Sequence, residues 1–312
     1  MGKKIIIDTD PGQDDAVAIL LALASPELDV LGITCVAGNV ELELTTGNAR
    51  KICELADKPK TKVFSGASKP ISRALITAKH VHGKTGLDGI DLPDPRMKIS
   101  EVHAVDFIIE SLLVSESKEV TLCALGPLTN LALAIRREPK IKSKIKQIVL
   151  MGGGFFEGGN ITPAAEFNIF VDPEAASIVM NSGVEIVMIP LDVTHKVLAT
   201  KSFINQISSI GSNTGVAVVG LLNFFARYDS KKYGSDGAPL HDPNVIIYLL
   251  KPHYYDGKDI NVEIELNSDL TLGMTVADWW QVTDKRKNVH FVKDVKTTKV
   301  LDFLVSRLSN LP

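Results

Sequence analysis

The amino-acid sequence predicts an α/β fold, with a doubly wound, mainly parallel central sheet, flanking helices and a few extra antiparallel strands near the C-terminus. Three observations carry this expectation. Ile5, Ile6 and Ile7 form an unbroken β-branched run, which suits a strand buried on both faces of a parallel sheet. From that run onward, strand-like and helix-like segments alternate through most of the chain. Only the C-terminal third departs, with short strand-like runs that follow one another.

The elements follow in order. After the first strand, ending near Asp8, Pro11 and Gly12 force a turn, and the apolar spacing Val17, Leu20, Leu21, Leu23 predicts a helix from Asp14. Leu28–Val36 reads as a strand, Glu41–Ala56 as a helix and Val63–Phe64 as a short strand. Val102–Leu113 reads as a helix, Val120–Leu125 as a strand, and Leu128–Ile135 as a helix opened by Pro127. Ile148–Met151 is the next strand, Pro173–Asn181 a helix capped by Asp172, Val184–Ile189 a strand and Thr214–Tyr228 a longer helix. Asp242 at an N-cap and Pro243 at the first helical position begin a helix over Asn244–Leu250. Ile260–Leu266, Thr271–Val276 and Val289–Val292 read as short strands before a last helix, Lys299–Leu308. Pro70–Ile99 is rich in Pro, Gly, Asp and His without a period, and long loops of this kind are often functional. No repeat, low-complexity tract or linker divides the chain, so one domain over residues 1–312 is expected.

Composition narrows the function. The chain has 312 residues, 45% hydrophobic and 23% charged, and a net charge of −3, which offers no broad basic surface for nucleic acid. No apolar run approaches the roughly twenty residues that span a bilayer, and Met1–Asp8 lacks a signal-peptide layout, so a cytoplasmic protein without a membrane partner is expected. Cys35, Cys53 and Cys123 are far apart and read as reduced core residues.

The chemistry concentrates where the first strand meets the first helix. Asp10, Asp14 and Asp15 fall at a strand's carboxyl end and a helix's amino end, where open α/β sheets place their ligands. Acids packed this closely repel one another, and a hard divalent cation such as Ca²⁺ or Mg²⁺ would stabilise them. Spacing alone equally allows Asp14 as an N-cap, Asp15 as a first-turn acid and Asp10 as a turn residue. Asn39 follows the second strand and is expected on the same sheet edge as Asp10, although it also suits a bland turn. The backbone carbonyl of Leu125, just before Gly126-Pro127, is freed from its ladder and could ligate Ca²⁺. Glu166 and Asn168 are two apart, so an extended backbone would point both to one face, where with Asn160 they would offer acceptors and donors to a polyhydroxylated ligand; a polar loop surface is the lesser alternative. The glycine-rich stretch 152–159 lacks GxGxxG spacing and is rejected as a dinucleotide site. Phe155, Phe156, Phe224 and Phe225 suit core or pocket wall, without a choice between them.

The segment DTDPGQDDAVAILLAL resembles the amino-terminal signature of the inosine-uridine nucleoside hydrolase family, written DxDPGxDDA. AGN at 37–39, HGKTGLDG at 82–89, GPLTN at 126–130, MGG at 151–153, GNITPAAEFNIFVDPEAA at 159–176, LDVTHK at 191–196 and GAPLHDP at 237–243 extend the likeness over most of the chain, nearest to pyrimidine-preferring bacterial members. The resemblance implies Ca²⁺-dependent hydrolysis of the N-glycosidic bond of ribonucleosides to ribose and free base, by a homo-oligomer (dimer or tetramer) in nucleoside salvage. It implies that Asp10, Asp15, Asp242 and the Leu125 carbonyl hold the metal, that Asp10 is the general base, and that Asp14, Asn39, Asn160, Glu166 and Asn168 bind ribose. It makes His82 and His241 catalytic residues beside the leaving base, whose departure they would assist by protonation or hydrogen bonding, and Tyr233 a residue of the same pocket. Asp229 stands where such relatives carry Gln or Tyr, which leaves proton delivery and base preference open, including a purine-accepting enzyme. Two remoter readings remain. An apolar strand followed by DxD also resembles Mg²⁺-dependent haloacid-dehalogenase-like phosphohydrolases, although these need Thr or Val where this chain has Gly12, and the pocket could serve a non-catalytic sugar- or Ca²⁺-binding protein.

Overall fold

A computed structural model describes residues 2–312, apart from the side chain of Tyr233. The alternation of burial along β1 (Lys3–Thr9) organises the molecule: Ile5 and Ile7 enter one core while Ile6 enters the other. β1 lies between β2 (Leu28–Cys35) and β4 (Val120–Ala124), and the sheet order is β3-β2-β1-β4-β5-β6-β12-β9, with β3 at Val63–Ser65, β5 at Ile145–Met151, β6 at Ile186–Ile189, β9 at Tyr255–Ile260 and β12 at Val289–Val295. The pairings from β3 to β12 are parallel, and only the edge strand β9 runs antiparallel, against β12. The chain winds outward from β1 in both directions, so the strand order reverses between β1 and β4. At that switch point a crevice opens outside the carboxyl ends of the strands.

Helices cover both faces. The core containing Ile5 and Ile7 is closed by α1 (Gln13–Leu23), α2 (Leu42–Leu55), α9 (Lys201–Ser208), α10 (Asn213–Tyr233), α11 (Pro243–Leu250) and α12 (Thr297–Leu308). The core containing Ile6 is closed by α4 (Ala104–Val114), α5 (Thr129–Arg137) and α7 (Pro173–Met180). Cys35, Cys53 and Cys123 are free and buried, as expected of core thiols.

The structure departs from the sequence reading in particular places. The long loop 70–99 contains a one-turn helix, α3 (Lys79–His82), too short to leave a periodic signal. Glu166-Phe167-Asn168 is not extended: Glu166 is the N-cap of α6 (Phe167–Val171). The run read as one strand over Ile260–Leu266 divides between the end of β9 and β10 (Val262–Ile264), and β10 pairs antiparallel with β11 (Thr275–Ala277). Two further pieces, β7 (Leu198–Thr200) and β8 (Gly237–Pro239), form a small antiparallel pair beside α8 (Leu191–Thr194). Among the described residues, no helix is long and apolar enough to cross a membrane.

Candidate active site

The acids stand where β1 hands over to α1. Gly12, not Asp14, is the N-cap of α1, and Asp15 at the third helical position reaches back to accept from the Gly12 N–H at 3.0 Å and from the Thr9 hydroxyl. Asp14 is therefore left to line the pocket. Asp10 sits deeper: its Oδ2 accepts from the Asn39 N–H at 2.7 Å, while its Oδ1 is buried without a partner. A Cβ on Gly38 would lie 2.1 Å from Asp10 Oδ2 and one on Gly126 2.3 Å from Oδ1, so only glycine at these strand ends leaves room for the carboxylate. Asn39 Nδ2 donates to the Asp10 carbonyl at 3.1 Å and to Asp15 Oδ2 at 3.2 Å, tying two acids to the end of β2.

Asp242 arrives from the amino end of α11. Its backbone is already helical (φ −70°, ψ −34°) and its carboxylate makes no cap hydrogen bond. Asp242 is the N-cap of α11 with Pro243 following it, as expected, but its side chain caps nothing and joins the cluster instead. One oxygen each from Asp14, Asp15 and Asp242 lie within 4.8 Å of one another. Asp14 was expected at the ribose and Asp10 among the ligands; the structure sets Asp14 inside the cluster and Asp10 beside it.

None of these four acids is more than 3% exposed. Burial, followed by the neighbouring carboxylates, pushes Asp10 and Asp242 well above the usual range and Asp14 to about 8; burial also raises Asp15. Oxygen-only donors, mutual repulsion and an orphaned buried oxygen on Asp10 are what a hard divalent cation would satisfy.

The next wall is built on the ends of β4 and β5. Asn168 Nδ2 donates to the Leu125 carbonyl at 2.7 Å and to the Met151 carbonyl at 3.2 Å, which ties α6 to two strand ends. As N-cap, Glu166 accepts from Asn168 N–H at 3.0 Å through Oε1, and from Gly153 N–H at 3.0 Å through Oε2. Burial pushes it up to about 7. Asn160 accepts from the Phe167 N–H at 2.9 Å through Oδ1. All three line the same pocket as Asp14, Asn39, Leu125 and Asp242.

Imidazoles and aromatics form the opposite end. His82, at the end of α3, has Nδ1 2.7 Å from Gln13 Oε1, and its ring stacks on Phe225 with centroids 5.2 Å apart. Burial, with His80 adding to it, pushes His82 down to about 3. His241 has Nδ1 2.8 Å from Thr194 Oγ1 and lies 5.8 Å from the His195 ring; burial holds it well below the usual histidine range. Asp229, from α10, lines this end and is pushed up to about 6 by burial. The side chain of Tyr233 lies outside the described residues. His80, His195, Phe225 and Tyr228 also line the pocket: Phe225 takes the pocket-wall place that the sequence left open against the core, His195 lies in the LDVTHK segment with no role assigned to it, and His80 and Tyr228 gave no signal of their own. The cavity is partly open to solvent.

A pocket at the switch point of a parallel sheet, with buried acids at one end and imidazoles at the other, is where open α/β enzymes bind and transform small molecules. The chain belongs to the inosine-uridine preferring nucleoside hydrolase family, whose sequence profile matches residues 5–302. It is an enzyme of the nucleoside N-ribohydrolase class, which sets aside the phosphohydrolase and binding-protein readings. An uncharacterized protein of Schizosaccharomyces pombe is 50% identical over 309 residues, 99% of this chain and 100% of that one. The pyrimidine-specific ribonucleoside hydrolase RihA of Photobacterium profundum is 46% identical over 311 residues, 99% and 100% of the two chains. The solved purine-preferring ribonucleoside hydrolase from Gardnerella vaginalis superposes with a TM-score of 0.92 at 33% identity, covering 98% of each chain.

Proposed function

We propose that the enzyme hydrolyses the N-glycosidic bond of ribonucleosides to ribose and free base in a Ca²⁺-dependent reaction, with uridine and cytidine preferred to inosine. The observation that carries this reading is the buried acid cluster facing the imidazole end across one pocket. Asp10, Asp15, Asp242 and the Leu125 carbonyl would hold the cation, with Asp14 close enough to share in it. When bound, a hard dication supplies positive charge that offsets the acids and acidifies the water and hydroxyls gathered around it.

The chain's own residues do the rest. Asp10 takes the proton of the attacking water as general base. The remaining carboxylates face a ribose that becomes oxocarbenium-like as the base departs, and fixed negative charge there favours the transition state. Asn168, Asn160, Glu166 and Asn39 are held by backbone partners, so they meet the ribose hydroxyls without reorganisation. His241 borders the base: if the Thr194 hydroxyl, 2.8 Å from Nδ1, is the donor of that pair, the ring proton sits on Nε2, from which a neutral imidazole can donate to the departing base. Pyrimidine preference rests on the 46% identity with RihA across the full length. A purine-accepting enzyme is the second reading, favoured by the likeness to the Gardnerella structure. Homo-oligomerisation and one catalytic domain over 1–312 belong to the same proposal.

Comparison of kcat/KM for uridine, 2′-deoxyuridine and inosine tests it. Uridine is expected to exceed inosine, and to exceed 2′-deoxyuridine by at least about a hundredfold, because a missing hydroxyl leaves buried polar groups unpaired. Equal values for uridine and 2′-deoxyuridine would overturn the ribose pose, and inosine cleaved better than uridine would favour the second reading.

A further inference from the structure

The position between Gly12 and Asp14 in the signature is filled by Gln13, which is fully buried and reaches across to the loop that carries His82. Its Nε2 donates to the carbonyls of His82 and Asp88, each at 3.0 Å. Carbonyls only accept, so these two contacts fix which way the amide lies. The reversed amide would set an oxygen against two oxygens. Oε1 is then the atom facing His82 Nδ1 at 2.7 Å, and Nδ1 must carry the hydrogen. A neutral imidazole has one N–H, so Nε2 is left with a lone pair and, among the described residues, no protein partner.

The ring lies close against the backbone of Gly12, where a Cβ would stand 2.4 Å from Nδ1, and Phe225 packs against the ring face. Asn48 Nδ2 donates to the carbonyls of Pro11 (3.0 Å) and Thr85 (2.8 Å), holding the same loop against the turn that precedes α1. The low proton affinity that burial gives this ring keeps it neutral near pH 7.

We propose that Gln13 is a positioning residue that holds His82 in its Nδ1–H tautomer, so that His82 accepts a hydrogen bond from an N–H or O–H of the nucleoside and does not donate a proton to the leaving base. The identity of the ligand rests on the function proposed above; the tautomer does not. His82 and His241 then have complementary tasks, one accepting and one donating, at the base end of the pocket.

The test begins with the wild-type protein, labelled with ¹⁵N-histidine and held at pH 7 with Ca²⁺. Ring ¹⁵N–¹H correlation spectra, with the His82 signals identified by their loss in His82→Ala, should show a protonated Nδ1 and a bare Nε2. An Nε2–H tautomer or an imidazolium would overturn the proposal, whatever the enzyme's substrate. Gln13→Met, which keeps the bulk and removes the acceptor, should mix the tautomers and lower kcat/KM for uridine about tenfold. In a His82→Ala background the same substitution should cost less than about twofold, since its partner is gone. Equal losses in both backgrounds would show that Gln13 acts on folding and not through His82. Absence of any uridine hydrolysis by the wild type would count against the nucleoside reading while leaving the spectrum to decide the tautomer.

Discussion

At one end of the pocket the carboxyls of Asp10, Asp14, Asp15 and Asp242 are raised above their ordinary range, and at the other the imidazoles of His82 and His241 are lowered. Burial is the first cause at both ends, because removal from water disfavours charge of either sign. The ends differ in what can relieve it. The acids stand together and a shared cation would stabilise all of them, whereas each histidine has a neutral partner, Gln13 or Thr194, that suits an uncharged ring. Charge and neutrality are thus sorted along a single pocket, as cleavage of a bond between a sugar that becomes cationic and a base that leaves requires.

The largest break in this comparison is expected from Asp10→Asn. The amide keeps the shape but cannot accept the water's proton, so kcat for uridine should fall by roughly 10³-fold while circular dichroism stays native. Turnover within tenfold of wild type would remove Asp10 from the base role.

The histidine end should show a smaller and more selective effect. His241→Ala is expected to lower kcat for uridine by roughly 10²-fold, with far less loss on p-nitrophenyl riboside, whose leaving group departs without help. His82→Ala, the loss of an acceptor for the base, should raise KM for uridine while costing kcat far less than His241→Ala does. A selective loss at His82 and an even loss at His241 would exchange their roles.

These two ends were not equally legible. Asp10 and Leu125 follow strand ends directly, and Asn39 and Asp15 lie in the turn and the first helical turn just beyond, so an apolar run and a turn locate them, and β1, β2 and β4 fall close to where periodicity puts them. His80, Phe225, Tyr228 and His195 come from or beside helices distant in sequence, and no local rule brings them together. Glu166 was misread because alternation of polar and apolar residues fits a strand as well as a helix cap; the deciding contact, its hydrogen bond with Gly153, is tertiary. Edge strand β9, Tyr-Asp-Gly-Lys-Asp-Ile, is largely polar, as exposed edges often are, and gave no strand signal.

The smallest expected effect is on stability against pH. For a buried acid raised in the folded state, the folded protein holds the extra proton, so stability falls as pH climbs from the unfolded value near 4 toward about 8 for Asp14 and about 7 for Glu166. For His82, lowered to about 3, the unfolded chain holds the extra proton, so stability rises with pH and levels off above about 6.5. The two trends oppose below about 6.5 and only the acid end acts above it. Protein stripped of divalent cations should therefore melt at lower temperature at pH 8 than at pH 6.5. A rise over that interval would show that the acid end does not control stability.

The central claim, that the acid end is built around a cation, is tested most directly by thermal unfolding of exhaustively chelated protein at pH 7.5 as Ca²⁺ is added back. A ligand that binds the folded state alone raises Tm with its concentration, so Tm should climb with Ca²⁺, and uridine turnover measured on the same samples should return over the same range. Unchanged melting and undiminished turnover after chelation would contradict the account.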